Sequence, residues 1–372
     1  MRLGMFMMPL HPQGRPMHAY IAEDTEKALL LDKLGYDELF IGEHFSAATE
    51  PYPSPLMFAA SLLDKTHRLT FGTGVVSAAI RHPAMIAAEA AQFDHMSKGR
   101  FILGIGTGST PTDIELMDVS HDTGVRGKML SESIEMIQKI WTSEPPYEFV
   151  GTFFKTKIKD TLNRPLGFGW LPKPYQQPGP LIAVPSSSPD SRSVEFVGRK
   201  GLSLISSMLL ADDGLAMHWA NYSKGAIAGG HAADGEKWRV CRTVFVAGTD
   251  EEARQRIYHP ESGYRHFFGH MHKVYTQLGR LGVLKDRPEQ SDDEVTVDTF
   301  IDKRTIFGSP KTVADKLIAL RKQVGPFSTL LLTAVDWAGP NAVWERESLS
   351  RIAQEVMPAV RQATGTVAAA RN

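Results

Sequence analysis

Polar and small residues follow three apolar segments in the first third of the chain. LFIGEHF (39–45) ends in a carboxylate and an imidazole, Glu43 and His44, while FGTGVVSAAIRHP (71–83) and GRFILGIGTG (99–108) end in small residues. An imidazole at a strand end can exchange a hydrogen bond or a proton with a reactive oxygen near neutral pH. Glycines in the other two segments would let a planar ring lie against the backbone. Three strands with their polar chemistry at one edge are typical of an active site at the top of a β/α barrel.

A candidate anion site lies later in the chain, at PSSSPD (185–190). Its hydroxyls and amides precede a predicted helix, Ser191–Gly198, whose N-terminal dipole would favour a phosphate. The hydroxyls belong to Ser186, Ser187 and Ser188. Arg126 and Lys128, at the start of another predicted helix, could reach the same phosphate, although a charged first turn in water is equally ordinary. The glycines at 104–108 superficially match a dinucleotide fingerprint, but their spacing is incomplete and no helix begins at once.

The composition is that of a large, nearly neutral globular protein. The 372 residues are 42% hydrophobic and 22% charged, with a formal net charge of −1. The absence of a basic field argues against nucleic acid or an anionic membrane surface as partner. No apolar run is long enough for a membrane span, so a cytoplasmic location is expected. The single cysteine, Cys241, is interpreted as a buried strand thiol. The histidines at 266, 270 and 272 show no ligand spacing with carboxylates, and no metal is expected.

Eight strand candidates alternate with helical patterns along the chain. The strands are expected at Leu3–Met8, Glu38–Ile41, Leu69–Val76, Phe101–Ile105, Leu181–Val184, Leu202–Ile205, Val240–Val246 and Thr329–Thr333. Helices are expected at Ala22–Leu34, where Gly35 gives the stop signal, and at Arg126–Trp141. This alternation favours an α/β fold, a single (β/α)8 TIM barrel over residues 1–372, rather than a doubly wound sheet.

Two long segments interrupt the alternation and are expected to be insertions in the barrel. The first, at about 144–180, is rich in proline and contains a hairpin-like strand at GTFFKTKIK; the second, at about 258–302, is rich in aromatic residues and histidines. Long excursions of this kind are usually functional loops. The second is therefore a candidate lid, and a solvated insertion or a dimer contact is the alternative.

Several blocks of sequence together resemble the bacterial luciferase-like flavin monooxygenase superfamily, and most of all its branch of limonene 1,2-monooxygenase-like and diketocamphane monooxygenase-like proteins. The blocks are MRLGMFMMPLHPQGRP, LGYDELFIGEHFS, LTFGTGVVSAAIRHP, FDHMSKGRFILGIGTG, FGSPKTVADKL and VMPAV. The resemblance implies a luciferase-like barrel that binds reduced FMN (FMNH2), delivered by a separate NAD(P)H flavin reductase, and activates O2 as a flavin C4a-peroxide. A homodimer is expected, although the subunit pairing of luciferase itself is not implied.

The resemblance assigns roles to particular residues. His44, with Glu43 beside it, would be catalytic and lie next to the flavin–oxygen adduct; a structural bond to a neighbouring loop is the alternative for this histidine. The Gly74–Val75 bond would be a non-proline cis peptide against the isoalloxazine ring. The residues expected to contact the flavin in this part of the chain are Gly74, Val75, Val76, Gly106 and Thr107.

The expected reaction is oxygenation of a small, mostly apolar cyclic compound such as a terpene, ketone or heterocycle. The reason is that the candidate lid is aromatic and lacks an evident cationic clamp for an acidic substrate. Substrate contacts are expected from His11, Phe267, Phe268 and Trp337. Two alternatives remain open. A deazaflavin-dependent hydride transferase would need more basic groups, and a non-catalytic flavin-binding protein would need neither His44 nor a lid.

Overall fold

The structure is a computed structural model that describes residues 1–189, 192–285, 287 and 289–365. These residues contain twelve strands. The strands are β1 (Arg2–Met7), β2 (Glu38–Ile41), β3 (Thr70–Thr73), β4 (Val76–Ser77), β5 (Phe101–Gly106), β6 (Tyr147–Val150), β7 (Lys155–Ile158), β8 (Leu181–Ser186), β9 (Ser203–Ser206), β10 (Trp238–Val246), β11 (Thr305–Gly308) and β12 (Thr329–Thr333).

Helices connect most of the strands. The α-helices are α1 (Met17–Leu34), α2 (Pro55–Ala60), α3 (Pro83–Ser97), α4 (Pro111–Leu116), α5 (Thr123–Thr142), α6 (Arg192–Arg199), α7 (Asp212–Ala228), α8 (Asp250–Ile257), α9 (Gly263–Gln277), α10 (Val297–Arg304), α11 (Pro310–Val324), α12 (Asn341–Arg351) and α13 (Met357–Ala363). Short 3-10 helices lie at Leu63–Lys65, Arg164–Leu166, Leu281–Leu284 and Asp292–Glu294, and a π-helix at Ile352–Val356. Within the described part of the chain, none of the helices is both long enough and apolar enough to cross a membrane.

The structure contains every one of the eight predicted strands, with small shifts at their ends. The predicted strand Leu69–Val76 is divided into β3 and β4. Strand β11, whose four residues begin directly after α10, was not predicted. Gly35 ends α1 with a φ of 80°, the left-handed conformation that glycine adopts without strain, as predicted. The predicted helix at Ser191–Gly198 is present from Arg192 onward, and Asp190 and Ser191 lie outside the described residues.

The chain forms two compact units. The first comprises Met1–Leu39, Ala48–Glu50 and Ser186–Asn372, and the second comprises Phe40–Ala47 and Pro51–Pro185. The prediction of a single domain with insertions stays a prediction.

A parallel sheet organises the first unit. β10 pairs with β9 on one side and with β12 on the other, and β12 pairs with β1. The second half of β10 pairs with β11. These strands are buried along almost their whole length, as expected for parallel strands covered by helices. Because β1 and β12 are parallel neighbours, the segments that follow them begin side by side at the carboxyl edge of the sheet.

Strand β5 lies at the centre of the second unit. It pairs in parallel with β3 and β4 and with β8. Helix α3 is linked to α5 by a bond from Trp141 Nε1 to the carbonyl oxygen of Ala87, 3.0 Å long. The proline-rich excursion contains the antiparallel pair β6 and β7, which confirms the predicted hairpin there.

The second excursion, 258–302, is folded into helices rather than an open loop, apart from residues 286 and 288, which lie outside the described part. Tyr264, Phe267 and Phe268 are buried in a hydrophobic cluster that includes Phe300. The ring centroids of Phe268 and Phe300 are 6.0 Å apart. This packing supports a permanent structural element over a mobile lid.

Candidate active site

Glu43 anchors the residues that follow the Gly74–Val75 bond. One carboxylate oxygen accepts a hydrogen bond from the backbone N–H of Ser77 at 2.9 Å, and the other accepts from Arg81 Nε at 3.0 Å. Burial raises the pKa of Glu43, while Arg81 and the Ser77 N–H favour the ionised form and limit that rise. One carboxylate oxygen thus holds the backbone at Ser77, and the other is paired with the Arg81 guanidinium. The geometry therefore supports a positioning role for Glu43. The catalytic role predicted from the sequence stays a prediction.

His44 is fixed through its Nδ1 atom. This atom lies 2.8 Å from Thr110 Oγ1 and 3.6 Å from Asp113 Oδ2. The backbone N–H of His44 donates to the carbonyl oxygen of Tyr52 at 3.0 Å. The side chain keeps an exposed fraction of 15%. The His44 ring therefore bonds to a neighbouring loop, which is what a structural role would require. The ring is also partly accessible to solvent. Its catalytic role stays a prediction.

Asp113, in α4, holds the loop that carries His44. Its carboxylate accepts hydrogen bonds from the backbone N–H groups of Phe45 at 3.2 Å and Ser46 at 2.8 Å, and from the Ser46 hydroxyl. Several bonds to one carboxylate fix the loop in a single conformation. Sequence reasoning missed Asp113 because its partners lie 67 and 68 residues away along the chain.

The glycines of β5 pack against the segment between β3 and β4. The Gly74–Val75 peptide bond is cis, which confirms the expectation from the family resemblance. A Cβ atom at Gly104 would lie 1.7 Å from the carbonyl oxygen of Thr73, and one at Gly106 would lie 2.7 Å from Val75 Cγ2. Glycine is therefore required where the two backbones approach each other.

The predicted phosphate loop begins at the end of β8. Ser186 is buried, and Ser187 and Ser188 are exposed. The carbonyl oxygen of Ser188 lies 2.7 Å from His218 Nε2. Since a carbonyl oxygen only accepts, Nε2 carries the proton and donates it.

On the side of the ring opposite Ser188, His218 is held by a buried chain of hydrogen bonds. Its Nδ1 lies 2.9 Å from Ser206 Oγ, and Trp238 Nε1 donates to the same oxygen at 2.9 Å. With its proton on Nε2, the ring accepts at Nδ1 from the Ser206 hydroxyl. Burial lowers the pKa of His218, in agreement with a neutral ring. Sequence reasoning missed His218, because a single histidine on the buried face of a helix has no spacing that marks it as functional.

Arg126 and Lys128 differ in their surroundings. Arg126 is buried in the first turns of α5, and its Nη1 donates to the carbonyl oxygen of Ser120 at 2.8 Å. Its Nε is buried and has no hydrogen-bond partner in the protein. Lys128 is exposed. Arg126 thus has an unused donor for an anion, and the phosphate role of both residues stays a prediction.

His11 lies in a buried network at the carboxyl edge of β1 and β12. Its Nδ1 lies 2.6 Å from Asp336 Oδ2, and its Nε2 lies 3.1 Å from Asp24 Oδ2. Burial by itself would lower the pKa of His11, but the hydrogen bonds to Asp24 and Asp336 outweigh it and raise the pKa. The ring is fully buried, so direct contact with a substrate would require this network to open.

Arg15 completes the network. Single atoms from His11, Glu23 and Asp336 lie within 4.8 Å of one another, a spacing that suits a metal ion. The Arg15 guanidinium already binds both carboxylates, Glu23 at 2.8 Å and Asp336 at 2.7 Å. The negative charges of Glu23 and Asp336 are therefore balanced within the protein. The cluster connects the segments that follow β1 and β12 and stabilises their arrangement.

Trp337 is held by the same network. Its backbone N–H donates to Glu23 Oε1 at 2.7 Å. Lys27 Nζ and Arg346 Cζ lie 5.0 Å and 4.6 Å from the centre of its indole ring. The structure thus brings His11 and Trp337 into one network, whereas Phe267 and Phe268 belong to the separate hydrophobic cluster. Substrate contacts by these four residues stay predictions.

Cys241 is buried in β10, as expected from the sequence. Burial raises the pKa of its thiol to about 12. A thiol of this kind is inert as a nucleophile near neutral pH.

Comparison with known proteins identifies the family. The model of the luciferase-like monooxygenase family matches residues 1–326, so the chain belongs to this family. It is 30% identical to 4-hydroxyprotoasukamycin monooxygenase of Streptomyces nodosus subsp. asukaensis, over 95% of this chain and 91% of the relative. It is 28% identical to 3,6-diketocamphane 1,6-monooxygenase of Pseudomonas putida, over 97% of this chain and 98% of the relative.

A solved structure supports the same assignment. The chain is similar to the oxygenating constituent of 3,6-diketocamphane monooxygenase from Pseudomonas putida, a type II Baeyer-Villiger monooxygenase in complex with FMN. The TM-score is 0.86, the sequence identity is 27%, and the match covers 96% of this chain and 98% of the other. The fold is therefore the (β/α)8 barrel of the luciferase-like family, as predicted, and the chain is a monooxygenase of that family.

Proposed function

We propose that this chain is the oxygenase component of a two-component, FMN-dependent monooxygenase. It receives FMNH2 from a separate NAD(P)H flavin reductase and uses O2 to oxygenate a small, mostly apolar cyclic compound. The observation that carries the proposal is the close packing of β5 against the Gly74–Val75 segment, where a Cβ atom at Gly104 or Gly106 would collide with Thr73 or Val75. The similarity to an FMN-bound oxygenase over nearly the whole chain supports it.

The residues of the second unit fit a flat flavin ring. The glycines of β5 let the Gly74–Val75 segment lie close against that strand, and the buried hydroxyl of Ser77 just beyond this segment bonds to no other protein atom. The ring would be held by Gly74, Val75, Val76, Gly106 and Thr107. When bound, reduced FMN supplies the electron pair that activates O2, so that one oxygen atom enters the substrate and the other leaves as water.

The phosphate of FMN would be bound by Ser186, Ser187 and Ser188, with Arg126 and Lys128 as the cationic partners. The unpartnered Nε of Arg126 supports this assignment, because a buried guanidinium N–H is costly without an acceptor. His218 positions the loop by donating to the carbonyl oxygen of Ser188.

His44 would hold a proton near the reacting oxygen. Thr110 orients the ring through Nδ1, and Asp113 fixes the backbone of the loop. Because the ring is held in one orientation, its hydrogen-bond donor is already aimed before the reaction. Such an oriented donor stabilises a negative charge that develops on the reacting oxygen. Glu43 acts one step further away, through the backbone of Ser77.

The substrate class is inferred from the relatives. One relative is a 3,6-diketocamphane 1,6-monooxygenase, and diketocamphane is a small cyclic ketone. The chain is also proposed to form a homodimer and to act in the cytoplasm. Light scattering should then give a mass twice the chain mass of 41.1 kDa.

The central experiment separates the proposed function from its two alternatives. The purified protein is titrated with FMNH2, FMN and a reduced deazaflavin, and then turned over with a generic flavin reductase, NADH and a panel of cyclic ketones and terpenes. We expect preference for FMNH2 and an oxygenated product that carries one atom of 18O2. Preference for the deazaflavin, or tight flavin binding without any product across the panel, would contradict the proposal.

The variant His44→Ala tests the role of the histidine. We expect nearly unchanged FMNH2 binding, less product, and more hydrogen peroxide for each NADH consumed. His18→Ala, at an exposed position of α1, is the matched control and should behave as the parent protein. An unchanged ratio of product to peroxide in His44→Ala would leave His44 with a structural role only.

A further inference from the structure

His11 is a fully buried titratable group to which the proposed chemistry gives no task. It lies in the β1 loop, residues 8–16, between β1 and α1. Its neighbour Asp336 lies in the β12 loop, residues 334–340, between β12 and α12. Both loops begin at the carboxyl edge of neighbouring parallel strands, where β/α barrels carry their active sites. The protonation state of His11 therefore bears on the order of that edge.

Both ring nitrogens of His11 face carboxylate oxygens. Nδ1 lies 2.6 Å from Asp336 Oδ2, and Nε2 lies 3.1 Å from Asp24 Oδ2. An ionised carboxylate only accepts hydrogen bonds, whereas a neutral imidazole has a single N–H to donate. Both bonds are therefore made together only when the ring carries two protons, as an imidazolium.

The surroundings of the two carboxylates favour their ionised forms. Burial would raise the pKa of Asp336, but hydrogen bonds from His11 and from the backbone N–H of Ala338 outweigh it and lower the pKa. Asp24 Oδ1 lies 3.3 Å from Nζ of Lys27, which is buried as well. The proton in each of the two contacts therefore resides on the His11 ring.

The ion pairs around His11 contain equal numbers of positive and negative groups only when the ring is protonated. The cations are His11, Arg15 and Lys27, and the carboxylates are Glu23, Asp24 and Asp336. With a neutral ring, two cations would face three carboxylates that are largely withdrawn from water, which is unfavourable.

Other titratable or charged groups approach this cluster from the elements around it. They are Tyr20, stacked on the His11 ring; Glu345, which interacts with Lys27; Arg346, beside the Trp337 ring; His266, bonded to the carbonyl oxygen of Leu10; and Glu50, next to the carbonyl group of Thr49 that accepts the His11 N–H. Each of these groups contacts a neighbour of the ring or stacks on it, whereas Asp24 and Asp336 bond to its nitrogens.

The cluster connects both loops to α1. Asp24 bonds to the ring in the β1 loop, and Lys27 Nζ donates to the carbonyl oxygen of Val335 in the β12 loop at 3.0 Å. If the ring lost one proton, one of its nitrogens would turn a lone pair toward a carboxylate. That contact would become repulsive, and the connection would weaken at its centre.

We propose that His11 is a positioning residue that acts as an imidazolium at neutral pH. The doubly protonated ring holds the β1 and β12 loops against α1, and loss of one ring proton at alkaline pH opens this connection and loosens both loops. The inference does not depend on the proposed flavin chemistry, because it rests on contacts within the protein alone.

NMR of the full-length protein labelled with 15N at the histidine rings tests the charge directly, since the nitrogen shift distinguishes a protonated from an unprotonated ring nitrogen. An ordinary histidine, with a pKa of about 6.5, is neutral at pH 8. We expect one ring, that of His11, to carry both protons at pH 8. His218 is the internal reference for a buried neutral ring, because its Nε2 donates to Ser188. If no histidine ring carries two protons at pH 8, the proposal is overturned.

The variant Asp24→Asn identifies the ring and removes its need for a second proton. The amide keeps the shape of the carboxylate but can donate to Nε2, so a ring protonated only at Nδ1 satisfies both neighbours. We therefore expect the doubly protonated signal to be replaced at pH 8 by that of a neutral ring. Asp315→Asn makes the same change at an exposed position of α11 and should keep the signal of the parent protein. A doubly protonated ring that persists in Asp24→Asn would overturn the assignment to His11.

Hydrogen exchange of the two loops at pH 8 and pH 10 tests the conformational part. Burial raises the pKa of Glu345 to about 7, below both pH values, so its ionisation does not account for a difference between them. After correction for the intrinsic rate, we expect both loops of the parent protein to exchange about tenfold faster at pH 10, the effect of losing one charge-assisted bond. Asp24→Asn should show no such difference. Equal protection at the two pH values in the parent, or an equal loss in parent and Asp24→Asn, would overturn the proposal.

Discussion

Glu345 offers a quantitative test of how burial controls charge in this fold. It lies in α12, is 3% exposed, and accepts a hydrogen bond from Tyr264 Oη at 2.7 Å. Burial raises its pKa from 4.5 to about 7, although Tyr264 and the charge of Lys27 oppose the rise. Tyr264 Oη also lies 3.2 Å from the carbonyl oxygen of Val244. A protonated Glu345 can donate to Tyr264, which then donates to Val244, so the neutral carboxyl satisfies the whole group.

The sign of the pH dependence follows from the two pKa values. The unfolded chain loses the Glu345 proton near pH 4.5, whereas the folded protein keeps it up to about pH 7. The free energy of unfolding therefore falls as the pH rises between these values and is constant above them. At 1.36 kcal/mol per pH unit, this one carboxyl removes about 2.5 kcal/mol of stability between pH 5 and pH 8.

The perturbation is Glu345→Gln, which keeps the shape of the neutral carboxyl but cannot ionise. Urea unfolding of the parent and the variant is measured at pH 5 and pH 8. We expect the variant to gain about 2.5 kcal/mol relative to the parent between the two pH values. Glu347→Gln, in the same helix, is the control, because bonds to Arg256 and Arg351 lower the pKa of Glu347 and its contribution is constant over this range.

Two results would refute this reasoning. If parent and Glu345→Gln lose the same free energy between pH 5 and pH 8, Glu345 is ionised in the folded protein and burial does not control its charge. If Glu347→Gln reduces the pH dependence of the free energy of unfolding as much as Glu345→Gln does, the effect is caused by the change in net charge and not by burial of Glu345.

Three further predictions follow from the candidate site. Gly104→Ala should cost about 3 kcal/mol of stability, because its Cβ would meet the immovable carbonyl of Thr73; Gly127→Ala, with open space around it, should be neutral or slightly stabilising, and equal unfolding midpoints would contradict the close packing. His218→Phe should weaken FMNH2 binding by about 1 to 3 kcal/mol in fluorescence titration, since the loop loses its buried donor, and an unchanged Kd would separate this histidine from the phosphate loop. Glu43→Gln should lower the thermal midpoint while leaving the ratio of product to hydrogen peroxide unchanged; a rise in peroxide with unchanged stability would mean a direct part in the chemistry.

Local patterns predicted the parts of the molecule that depend on local physics. The buried parallel strands are short runs that are mostly apolar, and all eight predicted strands are present in the structure. Gly35 shows the end of α1 because only glycine adopts its positive φ easily. The burial of Cys241 was predicted correctly because this residue lies within an apolar strand.

The aromatic excursion shows where local patterns fail. Its aromatic residues suit a lid and a packed cluster equally well, and the sequence does not say which surface they cover. In the structure Phe268 is fully buried among residues that come from distant parts of the chain, such as Leu10 and Val335. Burial of this kind depends on the whole fold, because it is decided by which elements lie opposite each other.

The sequence by itself determined the family and the barrel class. It also determined the strand ends at which His44, the glycines of β5 and the Ser186 loop lie. Only the tertiary structure decided how these residues are held. His11 meets Asp336 across 325 residues of chain, and Asp113 meets Ser46 across 67. Hydrogen bonds and ion pairs act over a few ångströms in space, whatever the separation in sequence. Their partners therefore become known only when the chain is folded.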